Sequence, residues 1–277
     1  MKTIGIIGLG HMGLNIATNF ANKKKYAIQY HDRKKKSAKY FYQKKLANLI
    51  NNADILIIAV KPQNFLELKQ DLLNYTKTNQ IVISIMAGVS LEIIKKFINT
   101  KNLVRVMPNL AIQEKNSLNG YILSKKFNKK KIKEVEYLLS SWGTNIQCQN
   151  EDQLSMITTI SGSGLALYYL IADYFMNFSL KKFSQKQALL ITKQVMLGAA
   201  QHLSPSPTMP LELVRQIASK GGTTEAALKF YHQQNLKNIF LQGLQMAQNR
   251  SQELNKIIKQ QFIYEDKSRK KINKFRK

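Results

Sequence analysis

The chain has 277 residues, 44% of them hydrophobic, and its 43 Lys and Arg against 16 Asp and Glu give a formal net charge of +27. This length and apolar content favour a globular chain of two domains over a disordered one. We expect no membrane span and no signal peptide, and the single Cys148 excludes an intrachain disulfide. These expectations favour a reducing, cytoplasmic compartment.

Basic residues crowd into 23–45, 125–133 and 256–277. Such a charge is a physical argument for binding polyanions. The clusters, however, contain few interleaved aromatic residues and match no nucleic-acid-binding motif. We therefore interpret them as solvated lysines, do not expect nucleic acid as a partner, and predict a frayed basic tail at about 265–277.

Apolar runs alternate with helical patterns through the first 150 residues. Strands are predicted at 4–7, 27–31, 55–60, 81–85, 103–107, 120–123 and 144–148, and helices at 12–23, 34–49, 65–75, 91–98 and 130–141. The strand at 55–60 is apolar throughout, as required in a sheet covered on both faces. The alternation predicts an α/β fold: a Rossmann-type doubly wound parallel sheet forming a dinucleotide-binding domain over residues 1–150.

The pattern changes after residue 150, where apolar residues recur at spacings of three and four. A long proline-free helical stretch is followed by breaks at Pro205, Pro207 and Pro210. Further helices are predicted at 210–218, 223–234 and 235–260. Residues 151–277 are therefore predicted to form an all-helical domain.

The most informative segment is Gly8-x-Gly10-x-x-Gly13, which follows an apolar strand and opens a helical pattern. Gly8 permits a tight turn, Gly10 lets the backbone approach a pyrophosphate, and Gly13 lets the helix pack close to the strand. The pyrophosphate would lie on the free N–H groups of the helix N-terminus. Strand, glycine turn and helix in this order predict a dinucleotide site.

Two later strand ends carry small or rigid residues. Lys61 and Pro62 follow the strand at 55–60, and ligands of open α/β sheets bind beyond such carboxyl ends. Ala87 and Gly88 follow the next strand and leave room for a flat ring. For both segments an ordinary strand–loop junction or a packing glycine remains the alternative.

The segment Ser219-Lys220-Gly221-Gly222-Thr223-Thr224 places two glycines and three hydroxyls before an alanine-rich helix. Backbone N–H groups and hydroxyls that converge on a helix N-terminus suit a carboxylate. The alternative is a plain helix start capped by a threonine.

These stretches, in this order and spacing, resemble the pyrroline-5-carboxylate reductase family over nearly the whole chain. The matching segments are IGIIGLGHMG, AVKPQ, IMAGVSLE, RVMPN, ISGSG and SKGGTT. The resemblance implies reduction of the cyclic imine of 1-pyrroline-5-carboxylate to L-proline, the last step of proline biosynthesis, by a nicotinamide cofactor without a metal. It also implies a homodimer, or a higher homo-oligomer, held by the helical domain.

The resemblance assigns roles residue by residue. The cofactor pyrophosphate would be held by Ile7, Gly8, Leu9, Gly10, His11 and Met12, with Gly13 behind them. The ribose and nicotinamide would be framed by Ala59, Val60, Lys61, Pro62, Met86, Ala87 and Gly88. The substrate carboxylate would be bound by Ser219, Gly221, Gly222, Thr223 and Thr224. Thr224 would also bond the ring nitrogen or relay a proton to it, and Glu151 would stabilise its positive charge.

Cofactor choice depends on the end of the second strand. Asp32 there favours NAD, because an acid bonds the ribose 2′-OH, whereas Arg33 and the three lysines after it favour NADP. We predict NADP(H), with Arg33 as a cofactor-binding residue, and NAD(H) as the alternative.

The chain departs from the family pattern at three prolines, which are replaced by Ala111, Leu165 and Lys220. Their loss would loosen loops around the site, or Lys220 would add positive charge near the carboxylate. Two rival interpretations remain: a β-hydroxyacid dehydrogenase-type reductase, and a catalytically weakened relative that binds a cofactor or a polyanion. Residues 151–180 lack the catalytic lysine that the first rival would require.

Overall fold

A computed structural model describes residues 1–21 and 23–274, without the side chains of 263–274. The chain divides into two compact units, Met1–Gly162 with Gln248–Lys277, and Ser163–Ala247. The predicted domain boundary at residue 150 stays a prediction, because the limits of a compact unit need not coincide with those of a functional domain. The predicted frayed tail at 265–277 lies outside the described side chains, and 275–277 lie outside the described residues altogether.

Eight strands and eleven α-helices follow one another in the described part of the chain. The strands are β1 Lys2–Ile7, β2 Tyr26–His31, β3 Phe41–Tyr42, β4 Ile55–Ile58, β5 Ile81–Ser84, β6 Asn102–Met107, β7 Ser117–Leu123 and β8 Gly143–Gln147. The helices are α1 His11–Ala21, α2 Leu46–Asn52, α3 Lys69–Tyr75, α4 Leu91–Lys95, α5 Ile132–Ser140, α6 Glu151–Thr158, α7 Gly164–Ser179, α8 Gln185–Leu203, α9 Pro210–Ile217, α10 Thr223–Gln233 and α11 Leu236–Lys274.

All eight strands form one sheet in the order β3-β2-β1-β4-β5-β6-β7-β8. The predicted Rossmann-type sheet is confirmed, with one correction: β7 runs antiparallel to β6, whereas the other neighbouring strands are parallel. Residues 108–116 alone join β6 to β7. A parallel crossover needs a dozen or more residues, so this short connection reverses the strand direction.

The sheet is covered on both faces, as the apolar strand at 55–60 predicts. Ile55 and Ile57 of β4 pack into one core cluster with α1 and α5. Leu56 and Ile58 pack into a second cluster with α2 and α4. Because alternate side chains of a strand point to opposite faces, a strand buried on both sides must be apolar at every position.

The predicted helix at 34–49 is wrong. Residues 33–40 form a loop, β3 pairs parallel to β2, and α2 begins at Leu46. The buried Tyr30 hydroxyl organises this loop: it accepts hydrogen bonds from the amides of Lys36 and Ser37 and donates to the Ser37 carbonyl. In a helix these amide and carbonyl groups would form hydrogen bonds with each other along the backbone. Here they are bonded to the Tyr30 hydroxyl, so the helix does not form.

The predicted helix at 65–75 begins differently. A 3-10 helix over Pro62–Leu68 precedes α3. Pro62 occupies its first turn, where the missing N–H costs nothing. The tighter turn buries Phe65 against the second core cluster.

The unit Ser163–Ala247 consists of α7 to α10 and the first part of α11. Within 163–247, where every residue is described, only Ala188 and Thr192 are buried. Its exposed apolar side chains include Tyr169, Phe178 and Leu190, at 63%, 71% and 66% exposure. Many exposed large apolar side chains in one unit are typical of a surface that packs against another molecule.

Among the described residues, the helical run Glu151–Ser179 is long and apolar enough to cross a membrane by length and composition. This finding amends the expectation that no stretch reaches that length. A run of this kind is weak evidence, because a helix that packs against protein passes the same test.

Candidate active site

The glycine turn lies between β1 and α1 and depends on close backbone packing. Gly8 has φ +93°, a conformation that favours glycine, and a Cβ there would lie 2.9 Å from the Ala59 carbonyl oxygen. A Cβ on Gly13 would overlap the Gly8 carbonyl oxygen. A Cβ on Gly10, in contrast, would meet nothing within 4 Å. Gly10 therefore faces open space, which fits a position that a pyrophosphate would occupy.

A cleft of about 540 Å³ opens beside this turn. Its lining includes seven of the predicted cofactor residues: Ile7, Gly8, Gly10, Arg33, Ala59, Val60 and Lys61. Leu9, His11, Met12, Gly13, Pro62, Met86, Ala87 and Gly88 lie outside that lining. The cleft lies at the carboxyl ends of β1 and β4, where strand order reverses and ligands of open α/β sheets bind.

Asp32 caps the glycine turn from the end of β2. Its carboxylate accepts a hydrogen bond of 2.8 Å from the Leu9 amide. The same carboxylate forms an ion pair with the Lys36 ammonium group at 2.8 Å. Burial by itself would raise the pKa of Asp32, but the hydrogen bonds from Lys36 and Leu9 outweigh it and lower the pKa below its usual value. Asp32 is therefore an anion whose acceptor capacity is already partly used.

The basic run after Asp32 supplies two cations to the cleft, Arg33 and Lys36. Arg33 forms hydrogen bonds of 3.0 and 2.9 Å to both carboxylate oxygens of Glu67. Both side chains are more than 60% exposed, so this pair contributes little to stability. The guanidinium can therefore exchange Glu67 for a phosphate at small cost.

The segment after β5 carries Met86, Ala87 and Gly88. Met86 is 1% exposed, Ala87 is exposed and Gly88 is buried with φ +74°. A Cβ on Gly88 would overlap the Cδ1 of Ile258 on α11. Of the two alternatives for this glycine, the packing role is the one for which the structure supplies a contact.

Glu151 begins α6 with both carboxylate oxygens engaged. One oxygen accepts from the Leu91 amide at 3.0 Å, and the other pairs with the guanidinium of Arg105. The Arg105 side chain is 5% exposed, and burial lowers its pKa despite the opposing charge of Glu151. The pair ties β6, α4 and α6 together.

Asn109 connects the loop after β6 to the ISGSG segment. Its side-chain amide donates a hydrogen bond of 3.0 Å to the Ser161 carbonyl, and its oxygen accepts from the Ala111 amide. Ser161 lies in a π-helical turn, Thr159–Ser163, between α6 and α7. Such turns are frequent at functional sites.

The SKGGTT loop precedes α10, which starts at Thr223 with Gly222 as its N-cap. Gly221 has φ +73°, and its amide donates a hydrogen bond of 2.6 Å to the carboxylate of Glu225. No side chain caps this described helix start, so the threonine cap that was the alternative to a carboxylate site is not formed. The Gly221 amide of this loop therefore already binds a carboxylate, that of Glu225 in the first turn of α10.

Sequence reasoning missed two polar residues of the dinucleotide cleft, Asn64 and Glu67. Asp32 and Lys36, weighed above only for the choice of cofactor, also line it. Asn64 lies just after the predicted cofactor residues Lys61 and Pro62. Glu67 could not have been found from the sequence, because it enters the cleft through the 3-10 turn that replaced the start of a predicted helix.

Two family models match the chain. Residues 3–88 match the model described as NADP oxidoreductase, coenzyme F420-dependent, and residues 151–254 match that for pyrroline-5-carboxylate reductase dimerisation. A pyrroline-5-carboxylate reductase of Staphylococcus epidermidis is 32% identical over 208 residues, covering 74% of this chain and 76% of that protein. That of Haemophilus influenzae is 30% identical over 264 residues, covering 91% and 97%.

Solved structures show the same fold. A pyrroline-5-carboxylate reductase of Coxiella burnetii superposes with a TM-score of 0.80 at 28% identity, covering 91% of this chain and 97% of that one. The Plasmodium falciparum pyrroline carboxylate reductase, solved with NADP bound, gives a TM-score of 0.83 at 24% identity, covering 92% and 98%.

The sheet, the glycine turn and the cleft at the strand reversal define a pyridine-nucleotide-dependent oxidoreductase fold. Within that class the identity and coverage of its relatives decide the family. The chain belongs to the pyrroline-5-carboxylate reductase family.

Proposed function

We propose that the chain reduces the C=N bond of 1-pyrroline-5-carboxylate to give L-proline, the last step of proline biosynthesis, with NADP(H) as cofactor. The observation that carries the proposal is the pairing, in one chain of this family, of a glycine-turn cleft with a carboxylate-binding helix start. The single cysteine, Cys148, supports a reducing, cytoplasmic location.

The residues around the cleft fit a dinucleotide. Gly10 leaves the space for a pyrophosphate, and the free N–H groups of α1 favour its charge. Lys36 and Arg33 are cations available for a 2′-phosphate, because both line the cleft and the exposed Glu67 partner of Arg33 is exchangeable. NADP(H) is therefore preferred over NAD(H), and the NADP in the Plasmodium relative supports this choice.

The loop before α10 would grip the carboxylate of the imine. The amides at the start of α10 have no intrahelical partners, and the helix dipole favours an anion there. Glu225 now holds the Gly221 amide. The substrate carboxylate would take its place, with Ser219, Gly222 and Thr223 around it.

When bound, the reduced nicotinamide supplies the hydride that the imine carbon accepts. Thr224 holds the ring nitrogen through its hydroxyl, as hydrogen-bond acceptor from the protonated imine. A strong general base is unnecessary, because the imine arrives protonated. Glu151 acts through its negative charge and not as a proton donor, because Arg105 and the Leu91 amide hold both its oxygens as acceptors.

The exposed apolar side chains of Ser163–Ala247 are proposed to pack against a second copy of the chain. A unit in which two residues of 163–247 are buried cannot supply its own hydrophobic core. The match of residues 151–254 to a dimerisation model supports this assembly. The same contact would cover the apolar run Glu151–Ser179, so that no membrane is required.

The test is NADPH oxidation by the purified full chain, followed by absorbance, on addition of 1-pyrroline-5-carboxylate. We expect turnover that depends on the imine and is faster with NADPH than with NADH at equal concentration. NADPH binding without turnover would identify a catalytically weakened relative. Oxidation of a small β-hydroxyacid in place of imine reduction would favour the rival reductase class.

A further inference from the structure

The C-terminal part of α11 returns to the dinucleotide-binding unit. Residues 255–262, here named the C-terminal brace, begin where the match to the dimerisation model ends at residue 254. The brace and the sheet belong to the same compact unit. Its described side chains contact Gly88 of the predicted nicotinamide segment after β5, and Phe65, three residues beyond Pro62 of the segment after β4.

The first contact is between Ile258 and Gly88. The Ile258 side chain fills the space into which a Gly88 Cβ would project, and the Asn255 amide oxygen lies 3.4 Å from that position. Gly88 holds φ +74° and is buried. The backbone of the segment after β5 is thus covered from outside by the brace.

The second contact packs Phe262 against Phe65 and Phe97, whose ring centroids lie 5.5 Å from each other. The Phe262 ring centroid lies 5.8 Å from that of Phe65 and 6.1 Å from that of Phe97, and the side chain is 6% exposed. Tilted ring pairs at these distances are favourable. Phe65 belongs to the 3-10 turn that directly follows Lys61, so this contact supports the loop after β4.

Polar contacts add little to the brace. Lys259 approaches Glu92 at 3.6 Å, with both side chains more than half exposed. An exposed pair of this kind contributes between zero and about 1 kcal/mol. The apolar contacts of Ile258 and Phe262 therefore hold the brace in place.

We propose that Ile258 and Phe262 are positioning residues that hold the loops after β4 and β5 in the shape that binds the nicotinamide half of the cofactor. The inference rests on the cofactor site put forward under Proposed function. Neither side chain needs to touch the cofactor. Each acts through a loop, Ile258 through Gly88 and Phe262 through Phe65.

The experiment compares Ile258→Ala with Ile257→Ala in the full chain. The two isoleucines are adjacent, but Ile257 is 43% exposed whereas Ile258 is half-buried against Gly88. We expect Ile258→Ala to weaken NADPH binding about fivefold, measured by nucleotide fluorescence, with the KM for NADPH rising and kcat at saturating NADPH within about twofold. Ile257→Ala should leave all three quantities unchanged.

Hydrogen exchange of the free protein provides a readout that needs no cofactor. We expect faster exchange at 62–68 and 86–92 in Ile258→Ala and Phe262→Ala than in the wild type, with partial rescue in Phe262→Leu. If Phe262→Ala does not fold, Ile258→Ala and Phe262→Leu carry the comparison.

Two failures are distinguishable. Wild-type protein that binds neither NADPH nor NADH would overturn the proposed cofactor site, and the role of the brace with it. If Ile258→Ala binds NADPH as tightly as the wild type, and hydrogen exchange at 62–68 and 86–92 is equal in the two proteins, then the positioning role of the brace is wrong and the cofactor site is unaffected.

Discussion

The Glu151 carboxylate at the start of α6 pairs with the guanidinium of Arg105 on β6, a side chain that is 5% exposed. The Leu91 amide donates to the second oxygen of the same carboxylate. Glu151 itself is 38% exposed. If Arg105 is removed, water can therefore hydrate the Glu151 carboxylate. If Glu151 is removed, the Arg105 guanidinium stays buried and water cannot hydrate it.

This asymmetry predicts unequal costs of the two truncations. Glu151→Ala leaves a buried, unpaired guanidinium and should lower the free energy of unfolding by about 3–5 kcal/mol. Arg105→Met leaves a carboxylate that water reaches, and should cost about 1–2 kcal/mol. Denaturant unfolding measures both. Equal costs would contradict the burial difference on which the prediction depends.

Substitutions of Gly13 and Gly10 in the glycine turn should affect different properties, the first the stability of the protein and the second its binding of NADPH. Gly13→Ala places a methyl group on the Gly8 carbonyl oxygen and should destabilise the protein by about 1–3 kcal/mol. Gly10→Ala meets open space and should change stability by less than about 0.5 kcal/mol. The same Gly10→Ala variant should weaken NADPH binding at least tenfold in a fluorescence titration. Tight NADPH binding by Gly10→Ala would place the pyrophosphate elsewhere.

Removing two cations of the cleft, Arg33 and Lys36, should change cofactor preference. The double variant Arg33→Ala with Lys36→Ala should raise the KM for NADPH about tenfold or more, because the 2′-phosphate loses two charged partners. Its KM for NADH should change by less than about threefold. Lys34→Ala is the matched control, because Lys34 is exposed and lies outside the cleft lining. A parallel loss with both cofactors would argue against a 2′-phosphate site here.

Thr224→Ala should lower kcat/KM for the imine more than tenfold, because the variant loses the hydroxyl assigned to the ring nitrogen. Thr224→Ser keeps that hydroxyl and should retain most of the activity. Steady-state rates at fixed NADPH measure both. An unchanged rate in Thr224→Ala would remove this residue from the mechanism.

The exposed apolar face of the helical unit should hold an oligomer together. Wild-type protein should sediment at twice the 31.8 kDa chain mass or more. Phe178→Glu with Leu190→Glu should shift it toward the monomer, since both side chains are more than 60% exposed in the single chain and a charge there disfavours burial. Phe41→Glu, 63% exposed on β3, is the control outside this unit. A monomeric wild type would contradict the proposed assembly.

Features whose cause is local can be predicted from the sequence. The glycine turn is predictable because Gly8, Gly10 and Gly13 permit the tight strand-to-helix turn within six residues of chain. The sheet was readable because a strand buried on both faces has to be apolar throughout, as at β4. The start of α10 followed from two glycines and two threonines in a row.

Features that join residues distant in sequence depend on the folded chain. The loop at 33–40 is shaped by the Tyr30 hydroxyl, and Arg33 meets Glu67, because the chain brings them together from separate elements. Gly88 and Ile258 lie 170 positions apart. No local sequence pattern predicts that the Ile258 side chain fills the space beside Gly88. Propensity and spacing act along the chain, whereas a core partner is chosen by packing, which only the folded chain establishes.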